Sequence, residues 1–137
     1  MDAFDADVLI YAADSRNEMG GRIRRLFATR APDADAGVGS LLLVPEVLTL
    51  PIRLRATDEV EALTGLLSRL DLRGVDEAIA SYAASLGAAY GLRAADAVHL
   101  ATAAGAGADR FITNNRRDFP TSIREIDVTY PDDLPPG

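Results

Sequence analysis

The sequence contains no cysteine and no lysine, and it has one histidine, His99. The missing cysteine excludes a disulfide framework, a thiolate metal site and a cysteine nucleophile. The missing lysine excludes Schiff-base and P-loop chemistry, since all 14 basic residues are arginine. Apolar runs fall far short of the ~18 residues that a membrane span requires. The N-terminus shows no basic segment followed by a long apolar one, so no signal peptide is expected and the cytoplasm is the expected location. Positive charge is also scarce. A formal net charge of −7 argues against holding nucleic acid through a broad basic surface. It leaves room for an enzyme that grips a phosphate backbone through metal ions and a few arginines.

What is present fits one globular domain. The chain has 137 residues, 48% hydrophobic and 26% charged, enough for a sizeable core. Residues 1–130 are expected to form the domain, and the proline-rich residues 131–137 a loosely held tail. Residues 8–11 suit a strand by local propensity; the preferred alternative is a short strand that ends at Asp5, with Asp7 opening a helix through Ala13. Residues 14–21 carry Gly20-Gly21 and read as a loop. Ile23, Leu26 and Phe27 have helical spacing. Residues 32–39 read as another loop. Residues 41–44 form an apolar run that suits a buried parallel strand, and Pro45 then suits a first helical turn.

Pro51 is expected to kink or break that helix. An amphipathic helix follows, with Val60, Leu63, Leu66, Leu67 and Leu70 on one face. Leu70, Leu72 and Val75 suit a short strand. Ile79, Tyr82, Ala83, Leu86 and Tyr90 mark a helix that Gly91 ends. Residues 94–104 make a helix of small side chains. Residues 110–113 make a strand, and Ile123, Ile126, Val128 and Tyr130 support a final edge strand. Strands alternating with helices predict an α/β fold: a mainly parallel sheet of four to five strands between helical layers.

In such sheets the functional site lies beyond the carboxyl ends of the strands. Asp5 follows the first strand, Glu46 the second, and residues 113–118 the strand beginning at Arg110. Asp96 opens the small-residue helix, with His99 and Ala103 on the same stripe. A carboxylate at the edge of a core is costly unless something neutralises it. A hard divalent cation, Mg²⁺ or Mn²⁺, does so with oxygen ligands, and the chemistry it serves is phosphodiester hydrolysis. Ordinary roles remain for each residue: helix capping for Asp7, dipole compensation for Asp96, turn formation for Thr113 and Asn114, and helix packing for His99.

Four stretches carry a family resemblance. They are Phe4-Asp5-Ala6-Asp7-Val8-Leu9-Ile10-Tyr11-Ala12, Val44-Pro45-Glu46-Val47-Leu48, Leu92-Arg93-Ala94-Ala95-Asp96-Ala97-Val98-His99-Leu100-Ala101-Thr102-Ala103, and Phe111-Ile112-Thr113-Asn114-Asn115-Arg116-Arg117-Asp118-Phe119. In this order and spacing the chain resembles a PIN-domain ribonuclease of the VapC-like toxin type. The resemblance implies a PIN-like three-layer fold, metal-dependent endoribonuclease activity on RNA, a cognate antitoxin and a homodimer. It favours the short strand that ends at Asp5, with the apolar run after it helical. It implies Asp5, Glu46 and Asp96 as the acidic core and metal ligands. Asn115 and Asp118 complete the catalytic set, and Thr113, Asn114, Arg116 and Arg117 fall to the substrate. The sequence departs from the family pattern at Asp7, where asparagine is usual, and at Asn115, where an acid is usual.

Two other readings stand beside this one. Asp5-x-Asp7 partly matches haloacid-dehalogenase-like phosphohydrolases, but those enzymes need a downstream lysine. A PIN-like domain with an incomplete site would instead serve as a binding or assembly module.

Overall fold

The computed structural model describes residues 1–137. The chain runs β1 (Asp2–Phe4), α1 (Ala6–Ala13), α2 (Glu18–Ala28), β2 (Gly37–Ser40), α3 (Leu43–Arg53), α4 (Thr57–Leu67), β3 (Leu70–Arg73), α5 (Glu77–Tyr90), α6 (Ala94–Gly105), β4 (Arg110–Ile112) and β5 (Asp127–Thr129), with a 3₁₀ turn at Pro131–Asp133. The five strands form one sheet in the order β3-β2-β1-β4-β5, and every pairing is parallel. No helix is long and apolar enough to cross a membrane.

Short buried strands and amphipathic helices dictate three layers. On one face Phe4, Val8, Leu9, Ile23, Phe27, Leu43, Val47, Leu63 and Ile112 pack together, drawing in α1 to α4. On the other, Ala3, Val38, Leu86, Leu100, Ala101, Phe111 and Phe119 pack with α5 and α6. The alanines of α6 bring its backbone close to the sheet. Gly91 ends α5 in the left-handed region, at φ 68°, where glycine avoids the Cβ penalty.

Several local expectations are corrected. The second strand is residues 37–40, overlapping the end of the expected loop, and not the apolar run at 41–44. A Cβ at Gly37 would lie 2.7 Å from the Phe4 ring, and one at Gly39 2.5 Å from Leu43. The strand is therefore built from small residues, while Leu43 and Val47 serve the core from the helix that follows. The expected loop at 14–21 is half helical, because α2 begins at Glu18. There Gly20 allows helix-to-helix contact: a Cβ would sit 2.0 Å from the Tyr11 carbonyl oxygen.

Pro51 does not interrupt α3. It lies in the last turn, so the hydrogen bond it forgoes is near the natural end, and Arg55 (φ 54°) completes the stop. The last strand spans only Asp127–Thr129, since Ile123 and Ile126 are core residues of the preceding loop. The C-terminal residues are docked. Leu134 is 3% exposed, and Arg22 donates to the carbonyls of Asp132 and Leu134 at 3.1 and 2.6 Å. Arg25 donates to the Pro136 carbonyl, and Arg24 to those of Ala12 and Asp14, both at 2.9 Å. The basic patch of α2 is thus spent on backbone carbonyls.

Candidate active site

From β1 the chain steps to β2 and β3 on one side, then returns to β4 and β5 on the other. Strand order therefore reverses between β1 and β4, which is where a doubly wound sheet opens a crevice. Asp5 and Thr113 stand at the ends of these two strands, and Thr113 Oγ1 donates to Asp5 Oδ2 at 2.8 Å. Asp5 also caps α1, with Oδ1 accepting the Ala6 N–H at 2.8 Å. Its carboxylate is buried, and desolvation raises its pKa against the lowering by Thr113, His99 and the Ala6 amide.

Asp96 lies in the first turn of α6. Its pKa is raised by desolvation first, then by Asp5 and Asp118. Asp7 sits in the first turn of α1 and accepts two backbone hydrogen bonds, from Val8 at 2.7 Å and from Asn114 at 3.0 Å. Desolvation, with Asp5 next, nevertheless pushes it up to about 6. Glu46 comes from the first turn of α3, and its Oε2 lies 3.0 Å from His99 Nε2.

The loop after β4 is tied inward. Thr113 Oγ1 accepts the Asn115 N–H at 3.1 Å. The Asn115 side chain closes on Asp118, donating to Oδ2 at 3.0 Å and accepting the Asp118 N–H at 3.2 Å. Asn114 Nδ2 donates to the Tyr11 hydroxyl at 3.3 Å. Arg116 pairs with Asp132 at 2.7 Å and lies 4.3 Å over the Tyr130 ring; Arg117 is exposed.

Asp5, Glu46, Asp96 and Asp118 are thus electrostatic neighbours at one edge of the sheet. No guanidinium figures among the groups acting most strongly on Asp5, Asp7 or Asp96. Carboxylates gathered in this way, with His99 the basic group beside them, offer hard oxygen donors that suit Mg²⁺ or Mn²⁺. No three acidic or histidine side chains form a ready-made cage. The set therefore fits a cation held by one or two carboxylates, with water and substrate oxygens completing its shell. From the sequence, His99 reads as a substrate contact or general base or, in preference, as a helix packing residue. Its i, i+3 spacing from Asp96 was visible, but the arrival of Glu46 from another layer was not.

A sequence model of the PIN domain matches residues 3–121. No curated protein sequence matches the chain significantly. Among solved structures, a toxin–antitoxin complex from Klebsiella pneumoniae holds a chain 24% identical, aligned over 96% of this chain and 98% of that one with a TM-score of 0.72. DNA-bound VapBC from Salmonella typhimurium gives 18% identity, 95% and 97% coverage and a TM-score of 0.72. FitAB bound to an IR36 DNA fragment gives 19%, 98% and 98%, and 0.67. At these identities the likeness is one of fold.

Proposed function

Because the chain belongs to the PIN domain family, we propose that it is a divalent-metal-dependent endoribonuclease that hydrolyses RNA phosphodiester bonds as the toxin of a toxin–antitoxin pair. The observation that carries this reading is the gathering of Asp5, Asp96 and Glu46, with Asp118 beside them, at the β1–β4 switch point, where burial and their mutual charge raise the pKa of Asp5 and Asp96. Asp5, Asp96 and Glu46 would hold Mg²⁺ or Mn²⁺, one or two of them directly and the rest through its water. When bound, such an ion supplies Lewis-acid polarisation of a phosphoryl oxygen and acidifies water. Thr113 holds Asp5 in position by donating to one of its oxygens. Asn115 does the same for Asp118. Arg117, exposed and next to Asp118 in the sequence, would contact a backbone phosphate. Arg116 would do so after exchanging Asp132 for that phosphate.

The solved neighbours are chains of toxin–antitoxin and VapBC complexes, which supports an antitoxin as partner. Leu50, Ile52 and Leu54 near the end of α3 are each more than half exposed. Side chains of this kind support burial against a protein, whether antitoxin or a second copy in a homodimer. Residues 1–130 are the proposed domain, residues 131–137 an appendage lying on α2, and the cytoplasm the proposed location.

The test is incubation of a panel of structured RNAs, beside single-stranded DNA, with Mg²⁺, Mn²⁺ or EDTA. The reading predicts RNA cleavage that EDTA and Asp5→Asn each abolish. A second reading, a binding module without catalysis, is favoured by the amide at Asn115 and the lack of a ready-made cage. It predicts no cleavage under any of these conditions.

A further inference from the structure

His99 is the one side chain in the site that joins the two helical layers. It lies on α6, three residues after Asp96, and its side chain is 1% exposed. Glu46 lies on α3 in the opposite layer, with a third of its side chain exposed. The two meet over the edge of the sheet, His99 Nε2 to Glu46 Oε2 at 3.0 Å. An ionised carboxylate only accepts, so Nε2 carries the hydrogen. Nδ1 is then buried with no hydrogen-bond partner.

An orphaned ring nitrogen costs stability, because a buried polar group left unpaired has given up its hydration. A leucine would fill the same space without that cost, so packing alone gives no reason for an imidazole here. The only polar contact the ring makes is with Glu46. Glu46 for its part sits near solvent on a flexible side chain, which loses rotamer freedom whenever it is drawn to one position.

We propose that His99 is a positioning residue: its Nε2–H fixes Glu46 Oε2 over the sheet edge and leaves Oε1 to serve the cation and its water. The inference rests on the nuclease reading above and deepens it. Groups that hold a metal-ligating carboxylate in place change metal affinity or activity by roughly 10- to 100-fold when removed.

Because His99 is the only histidine, ¹⁵N labelling of histidine reports this ring alone. In metal-free protein the expected result is the Nε2–H tautomer, with a slowly exchanging proton that becomes fast-exchanging in Glu46→Ala. The Nδ1–H tautomer, or no response to Glu46→Ala, overturns the proposal. The second measurement is the Mn²⁺ concentration for half-maximal RNA cleavage, with melting temperatures alongside. His99→Leu is expected to fold, to need about tenfold more Mn²⁺ or to lose about tenfold in rate, and to add nothing to Glu46→Gln in the double variant. His99→Gln, whose amide nitrogen can replace Nε2–H, is expected to recover most of the loss. A His99→Leu protein with wild-type Mn²⁺ dependence and rate overturns the positioning role while leaving the nuclease intact. Wild type that cleaves no RNA, with the hydrogen bond present by NMR, instead overturns the nuclease reading, and with it the task assigned to Glu46.

Discussion

Thr113 Oγ1 donates to Asp5 Oδ2 at 2.8 Å across the ends of β4 and β1, where the strand order of the sheet reverses. The bond is wholly buried, and it counters part of the desolvation that raises the Asp5 pKa. Thr113→Val leaves that carboxylate short of a partner. The expected outcome is a loss of ~1–3 kcal/mol in chemical denaturation and a fall in RNA cleavage at pH 7. Thr113→Ser, which keeps the hydroxyl, is expected to retain most of both.

The raised pKa values make metal-free stability pH-dependent. Asp7 moves from 3.8 unfolded to about 6 folded, and Asp5 and Asp96 are raised as well. A folded pKa above the unfolded one means that the native state binds more protons. The associated stability is complete below about pH 4 and is lost as pH rises through about 6. Melting temperature in EDTA should therefore carry a falling component across this window. Asp7→Asn should flatten that component and raise the melting temperature at pH 7. Added Mn²⁺ should stabilise the wild type at pH 7, through binding to the folded state.

Two glycines in helices have opposite predicted effects. Gly20→Ala places a Cβ against the Tyr11 carbonyl and should destabilise by ~1–3 kcal/mol, as overpacking does. Gly65 lies in α4 with open space around it. Gly65→Ala should stabilise by ~0.5–1 kcal/mol. Urea titrations of both variants check the pair.

The docked C-terminus predicts that Leu134→Ala costs about 2–5 kcal/mol, as deletion of a buried leucine side chain does. Limited proteolysis should then cut after Tyr130 in the variant and spare the wild type. A loosely held tail would show neither effect.

The sequence was most legible where one local signal decides the structure. Gly91 set the end of α5, and the spacing of small residues set α6. The parallel α/β architecture followed from alternation, and the position of Asp5 and Glu46 beyond strand ends followed from that architecture. Legibility failed where tertiary packing overrode composition. Gly37-Val38-Gly39-Ser40 has poor strand propensity, yet the Phe4 ring and Leu43 leave room for nothing larger at its glycines. Gly20 and Gly21 signal a loop until the close approach of α1 and α2 is known. The His99–Glu46 bond spans 53 positions and two layers, and no periodicity in the sequence encodes it. Arg116 read as a substrate contact or a solvated cation, and no sequence signal showed that the fold brings Asp132 and Tyr130 to it.

The measurement that tests the central claim most directly is single-turnover cleavage of one structured RNA in Mn²⁺, for wild type and Asp96→Asn at equal folded concentration. Asp96 faces Asp5 and Asp118 electrostatically and is not a core packing residue, so its loss should remove chemistry and leave the fold. The account predicts cleavage by wild type and at least a hundredfold slower cleavage by the variant, about 2.7 kcal/mol in the barrier. Equal rates for the two proteins, or none for either, would contradict it.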